Sequence, residues 1–86
     1  LRGLTHALAR DLAPEIRVNA VAPGPIVWPD DGQIAAAERE RILSQVPLKR
    51  EGGVAQIAEA VKYLICDADF VTGHTINVDG GRNIAL

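Results

Sequence analysis

The residues with most reason to touch a ligand are Pro23-Gly24-Pro25-Ile26, where an alternating apolar run stops. Gly24 carries no side chain, so a flat ligand can approach its backbone closely. The flanking prolines stiffen that backbone and lack N–H groups, which leaves apolar contacts and carbonyls. Ile26 still offers an N–H and a C=O. A Pro-Gly pair alone marks a turn more often than a binding loop. Trp28, the only tryptophan, stands four residues past Gly24 with Pro29 behind it. Its ring can stack on a planar substrate or cover the core, and the residues alone leave both open.

Other reactive side chains do not assemble into a catalytic set. Asp30 and Asp31 are adjacent in a turn, where side chains diverge, so helix capping suits them better than acid–base chemistry. His6 sits near Arg2 and Arg10 on a helix, which reads as a solvated face. His74 opens a strand with no nucleophile nearby. Cys66 ends a helix and reads as a small buried hydrophobe. Tyr63 and Lys62 are neighbours and point apart on a helix. One cysteine and two distant histidines make no zinc site.

These residues need elements to position them. Leu1, Leu4, Leu8 and Leu12 form one helical stripe, with Gly3 and Ala7 a second stripe of small residues, and Pro14 ends that helix. Ile16 to Ala22 alternates as a strand. Gln33 to Val46 is helix-like, with a ragged apolar face of Ile34, Ile42, Leu43 and Val46. A polar, Gly-rich connector runs from Leu48 to Gly53. In Val54 to Cys66 the residues Val54, Ile57, Ala58, Val61, Leu64 and Ile65 fit helical spacing. A second strand is expected from His74 to Val78, ended by Asp79-Gly80-Gly81. Strand, helix, strand at this spacing means a parallel pair with a right-handed crossover. Ligands in such sheets bind beyond the carboxyl ends of the strands. A parallel sheet is covered on both faces, so two strands imply a larger sheet.

Composition narrows the classes. Hydrophobic residues make up 48%, so the chain has the content of a folded protein. The net charge is −2 and the basic residues are scattered, which argues against nucleic-acid binding. No apolar run reaches the ~18 residues of a membrane span. One cysteine makes the reducing cytoplasm the expected compartment. There is no methionine, and Leu1 lies inside a helical pattern without a cap, so a segment of a longer polypeptide is expected.

Two motifs together carry a family likeness. Arg17-Val18-Asn19-Ala20-Val21-Ala22-Pro23-Gly24, after Leu12-Ala13-Pro14, and Thr72-Gly73-His74-Thr75-Ile76-Asn77-Val78-Asp79-Gly80-Gly81 resemble the C-terminal part of a short-chain dehydrogenase/reductase. The helix with Gln56-Ile57-Ala58-Glu59-Ala60-Val61 fits between them, so the likeness covers essentially the whole chain. It implies an α/β fold of Rossmann type, a doubly wound parallel sheet of seven strands, of which these are the last two. Residues 1–86 would be the C-terminal segment of one such domain, with 26–46 its substrate loop and helix. Many members carry a Thr shortly after Pro-Gly that contacts the cofactor. Here Gly24-Pro25-Ile26-Val27-Trp28-Pro29 has none. That variant looks like the pteridine reductase branch, with 3-oxoacyl carrier-protein reductases as the nearest competitor.

The likeness implies hydride transfer from NADPH to a pterin of the dihydropteridine, dihydrobiopterin or dihydrofolate type. The catalytic Tyr and Lys are expected upstream of Leu1, none lies in this segment, and the segment alone is expected to be inactive. Pro23, Gly24, Pro25 and Ile26 match the cofactor-binding positions, and Trp28 and Pro29 the substrate-lining loop. A homotetramer would form through the Leu1–Ala13 helix and the Val78–Leu86 strand and tail. No metal is expected. A non-catalytic oligomerisation module is the competing class.

Overall fold

The computed structural model describes residues 1–24 and 36–84. The order is α1 (Arg2–Leu12), β1 (Ala20–Pro23), α2 (Ala36–Ser44), α3 (Val54–Lys62), a π-helical turn (Tyr63–Asp67), β2 (Thr75–Val78) and a 3-10 turn (Arg82–Ile84). β1 and β2 form a parallel two-stranded sheet with Ala20 opposite Thr75 and Pro23 opposite Val78. The α/β class and the parallel crossover expected from the sequence are present.

α1 stops as expected: Ala13 is extended, as the residue before a proline must be. The leucine stripe faces outward, with Leu4 60% and Leu8 38% exposed, while Thr5 and Ala9 are buried. Thr5 can be buried because its hydroxyl donates back to the Leu1 carbonyl at 2.8 Å. Gly3 has no neighbour within 4 Å of where a Cβ would stand, so within this chain the small stripe packs on nothing there.

β1 is shorter than the expected Ile16–Ala22 run and includes Pro23. The ladder explains both ends. Ile16 N–H is used by the Leu12 carbonyl, and Arg17 to Asn19 bond sideways to other elements. Ala20 and Gly24 donate to β2, at 2.9 Å each, to the carbonyls of His74 and Val78. Val21 and Pro23 therefore face the other edge, where a missing proline N–H costs no bond to β2.

α3 starts at Val54 on half a capping box: Gln56 Oε1 accepts from Gly53 N–H. The expected helix to Cys66 is corrected at Lys62. There the chain widens into the π turn, closed by Ala68 N–H donating to the Tyr63 carbonyl at 3.0 Å. The extra residue changes which side chains face inward. Leu64 is buried, but Cys66 is exposed, against the buried role expected of it. The α3 stripe is also more open than its pattern implies, with Val54, Val61 and Ile65 exposed above a sheet that has two strands among the described residues. Helix α2 lies inside the expected Gln33–Val46, and its residues Ile42 and Leu43 are half-buried. No helix among the described residues is long and apolar enough to cross a membrane.

Candidate functional site

The carboxyl ends of β1 and β2 lie side by side, which is where a parallel sheet presents its ligand. Pro23 is exposed there and Gly24 is half-buried. A Cβ on Gly24 would stand 2.7 Å from both Cα and Cβ of Asp79. The sequence offered room for a ligand as the reason for this glycine. The structure adds a nearer one, the approach of Asp79 itself. Gly24 N–H is bonded to the Val78 carbonyl and Pro23 has no N–H. The groups these two residues leave at the end of β1 are a proline ring and backbone carbonyls.

The turn after β2 is built from two glycines with positive φ, Gly80 at 64° and Gly81 at 92°. A Cβ on Gly80 would meet Val46 Cγ1 at 2.6 Å, and one on Gly81 would meet the Pro47 ring at 3.0 Å. Val46 is completely buried, and Leu48 N–H donates to the Gly80 carbonyl at 3.0 Å. Asp79 Oδ1 accepts from Gly81 N–H at 3.0 Å and fixes the turn. This joint ties the end of α2 to the end of β2. Arg39 of α2 also pairs with Glu51. Beside the joint lies an open cavity of about 320 Å³ lined by Leu48, Arg50, Gln56, Asn77 and Asp79 among others.

The opposite end of the sheet is where the two sequence motifs meet. Arg17 Nη1 donates to the carbonyls of Leu64 at 2.9 Å, Ala68 at 2.8 Å and Val71 at 3.3 Å. It thereby caps the carbonyl end of the π turn, as a cation at a helix C-terminus does. Val18 N–H donates to Thr72 Oγ1 at 3.1 Å, and Gly73 N–H to the Val18 carbonyl at 2.7 Å. Asn19 Nδ2 donates to the Val71 carbonyl and Asn19 Oδ1 accepts from His74 N–H, both at 3.0 Å. The sequence alone assigns none of these side chains a role, although both motifs stand in it. The signal was the pairing of Arg17-Val18-Asn19 with Thr72-Gly73, which bond each other.

Pro25, Ile26, Trp28 and Pro29, with Asp30 and Asp31, lie outside the described residues. His6 and His74 are exposed. Glu38 and Arg41 form an exposed pair on α2 that holds the Glu38 carboxyl below its ordinary pKa, chiefly through their hydrogen bond. Among the described residues no cluster of three His, Cys, Asp or Glu side chains is present.

A parallel strand–helix–strand unit with Pro23-Gly24 at the carboxyl end of its first strand is of Rossmann type. A family model described as enoyl-(acyl carrier protein) reductase matches residues 1–83. The chain belongs to the short-chain dehydrogenase/reductase family. It is 46% identical over 83 residues to the 3-oxoacyl-(acyl-carrier-protein) reductase FabG of Pseudomonas aeruginosa, covering 94% of this chain and 34% of that protein. The protein of the same name from Thermotoga maritima is 42% identical over 81 residues, 92% of this chain and 33% of that one. A crystal structure of a short-chain dehydrogenase/reductase (glucose/ribitol dehydrogenase) from Brucella melitensis superposes with a TM-score of 0.81 at 41% identity, covering 94% of this chain and 34% of that one. The chain thus spans about a third of the length of the curated relatives it matches.

Proposed function

We propose that this chain is the C-terminal part of an oxidoreductase that reduces a 3-oxoacyl group, carried as a thioester on an acyl carrier protein, with NADPH. The observation that carries the reading is the 46% identity over 83 residues to a reductase of that name. Hydride would go from the nicotinamide to the keto carbon and a proton to its oxygen, giving the 3-hydroxyacyl thioester. The proton donor would be a Tyr, its pKa lowered by a Lys, from polypeptide outside these residues.

This segment's share is binding and shape. Pro23 and Gly24 fit one wall of a nicotinamide site: an exposed ring and backbone carbonyls suit a flat ring with an amide donor. Pro25 and Ile26 would continue that wall, and Trp28 and Pro29 would line the substrate side, within a loop and helix spanning 26–46. α1 and the stretch from Val78 to Leu86 would meet other subunits of a cytoplasmic homotetramer.

Pterin reduction is the second reading. It rests on the missing Thr between Gly24 and Pro29, and the relatives' names favour the acyl reading over it. The test is the complete protein assayed for NADPH oxidation with a 3-oxoacyl thioester and, separately, a dihydropterin. Turnover of the thioester and not the pterin is expected, and the reverse would replace this reading by the second. Trp28→Ala is expected to raise KM for the turned-over substrate far more than for NADPH. Equal rises would remove Trp28 from the substrate side.

A further inference from the structure

We propose that Asn19 is a positioning residue: its amide sets the register of β1 on β2 and so places the Pro23–Gly24 wall. The inference deepens the functional reading above and rests on it.

β1 itself encodes little register. Its residues are Ala20, Val21, Ala22 and Pro23, mostly small, facing Thr75, Ile76, Asn77 and Val78. A slip of two residues, about 7 Å, would keep every side chain on its own face, so burial alone does not forbid it. Two features do. At the carboxyl end Asp79 comes so close that only a glycine fits opposite, and Gly24 is that glycine. At the amino end Asn19 bridges the segment that leads into β2. Its Nδ2 donates to Val71 and its Oδ1 accepts from His74 N–H, both at 3.0 Å.

The second bond sits directly beside the first rung of the ladder, where Ala20 N–H donates to the His74 carbonyl at 2.9 Å. A short amide puts its donor and its acceptor on separate atoms, whereas a hydroxyl carries both on one. Thr72 and Gly73 bond only the Val18 backbone, which any residue at position 18 other than proline would supply. Two side chains therefore carry the side-chain-specific part of the register, Thr72 with one bond and Asn19 with two. Arg17, which shares the Val71 carbonyl, anchors the π turn rather than the strand.

Two variants of the complete protein test this. Asn19→Leu removes both bonds at similar size, and Asn19→Asp keeps the acceptor for His74 N–H. A merely structural role lowers the active fraction, so apparent kcat falls while KM for NADPH holds. A positioning role raises KM for NADPH by about fivefold or more in Asn19→Leu, less in Asn19→Asp, with a smaller change in kcat and in KM for the acyl substrate. The protection of the Gly24 amide against hydrogen exchange, measured on the same proteins, is expected to fall in the same order. Unchanged KM for NADPH with unchanged Gly24 protection would overturn the proposal. If the parent protein turns over neither substrate with NADPH, the functional reading fails, and the Gly24 protection alone decides the role of Asn19.

Discussion

Gly24 shows how much one absent methyl decides. Its N–H holds Val78 at 2.9 Å while its Cα faces Asp79 closely enough that a Cβ would fall 2.7 Å from a backbone carbon. Backbone cannot swing aside as the end of a flexible side chain can. Gly24→Ala therefore pushes the two strand ends apart at a cost of about 1–3 kcal/mol. Chemical denaturation is expected to show that loss as a lower midpoint with an unchanged m-value. If the wall reading is right, KM for NADPH rises with it. The sequence made Gly24 legible as a break after a strand, a turn or a close approach, because it stands between two prolines. It could not show what fills the space, since Asp79 is 55 residues away in the chain.

At the scale of elements, helix and strand identities were legible and their faces were not. Periodicity reports that α1 and α3 have apolar stripes, but not that a buried partner lies within this chain. Thus Leu4 and Leu8 of the α1 stripe are exposed within this chain, and Thr5 and Ala9 are buried. The π turn was hidden for a different reason: one inserted residue leaves composition and spacing upstream unchanged. It depends on a distant group, Arg17, whose guanidinium also reaches the Ile65 carbonyl at 3.4 Å. A planar fork serves several carbonyls at once, and an ammonium does not. Arg17→Lys keeps the charge yet is expected to lower stability by about 1–2 kcal/mol, read from urea unfolding of the complete protein. Glu38 and Arg41 make a weaker, salt-sensitive contribution to α2, because both are exposed. The folded Glu38 carboxyl titrates below its unfolded value. Its contribution is present above the unfolded pKa and is lost as pH falls through the folded one. The stability gap between the parent and Glu38→Gln should close on acidification and in high salt.

For the whole molecule, surface area is the governing quantity. A compact protein of 9.2 kDa exposes about 4,900 Å² by the usual scaling. This chain exposes 6196 Å². Large apolar side chains contribute to it, Leu1, Leu4, Leu8 and Leu12 along α1 and Val61 and Ile65 farther on, and one edge of β1 has no partner strand among the described residues. Only Ala9, Val46, Leu64 and Ala68 are buried hydrophobics among the described residues. Such a core is small against the chain entropy that folding must overcome. The relatives, three times as long, have the material to cover both surfaces. Leu8→Glu separates a covered stripe from a solvated one. On a free surface the change stays within about 0.5 kcal/mol, whereas a charge forced into an apolar contact costs several-fold more. In the complete protein Leu8→Glu is expected to lower the melting temperature or, if the stripe meets another subunit, to shift sedimentation toward smaller species. An unchanged melting temperature with an unchanged assembly would mean that α1 faces water in the whole protein, and the two-stranded unit would then have to be stable with its leucines exposed.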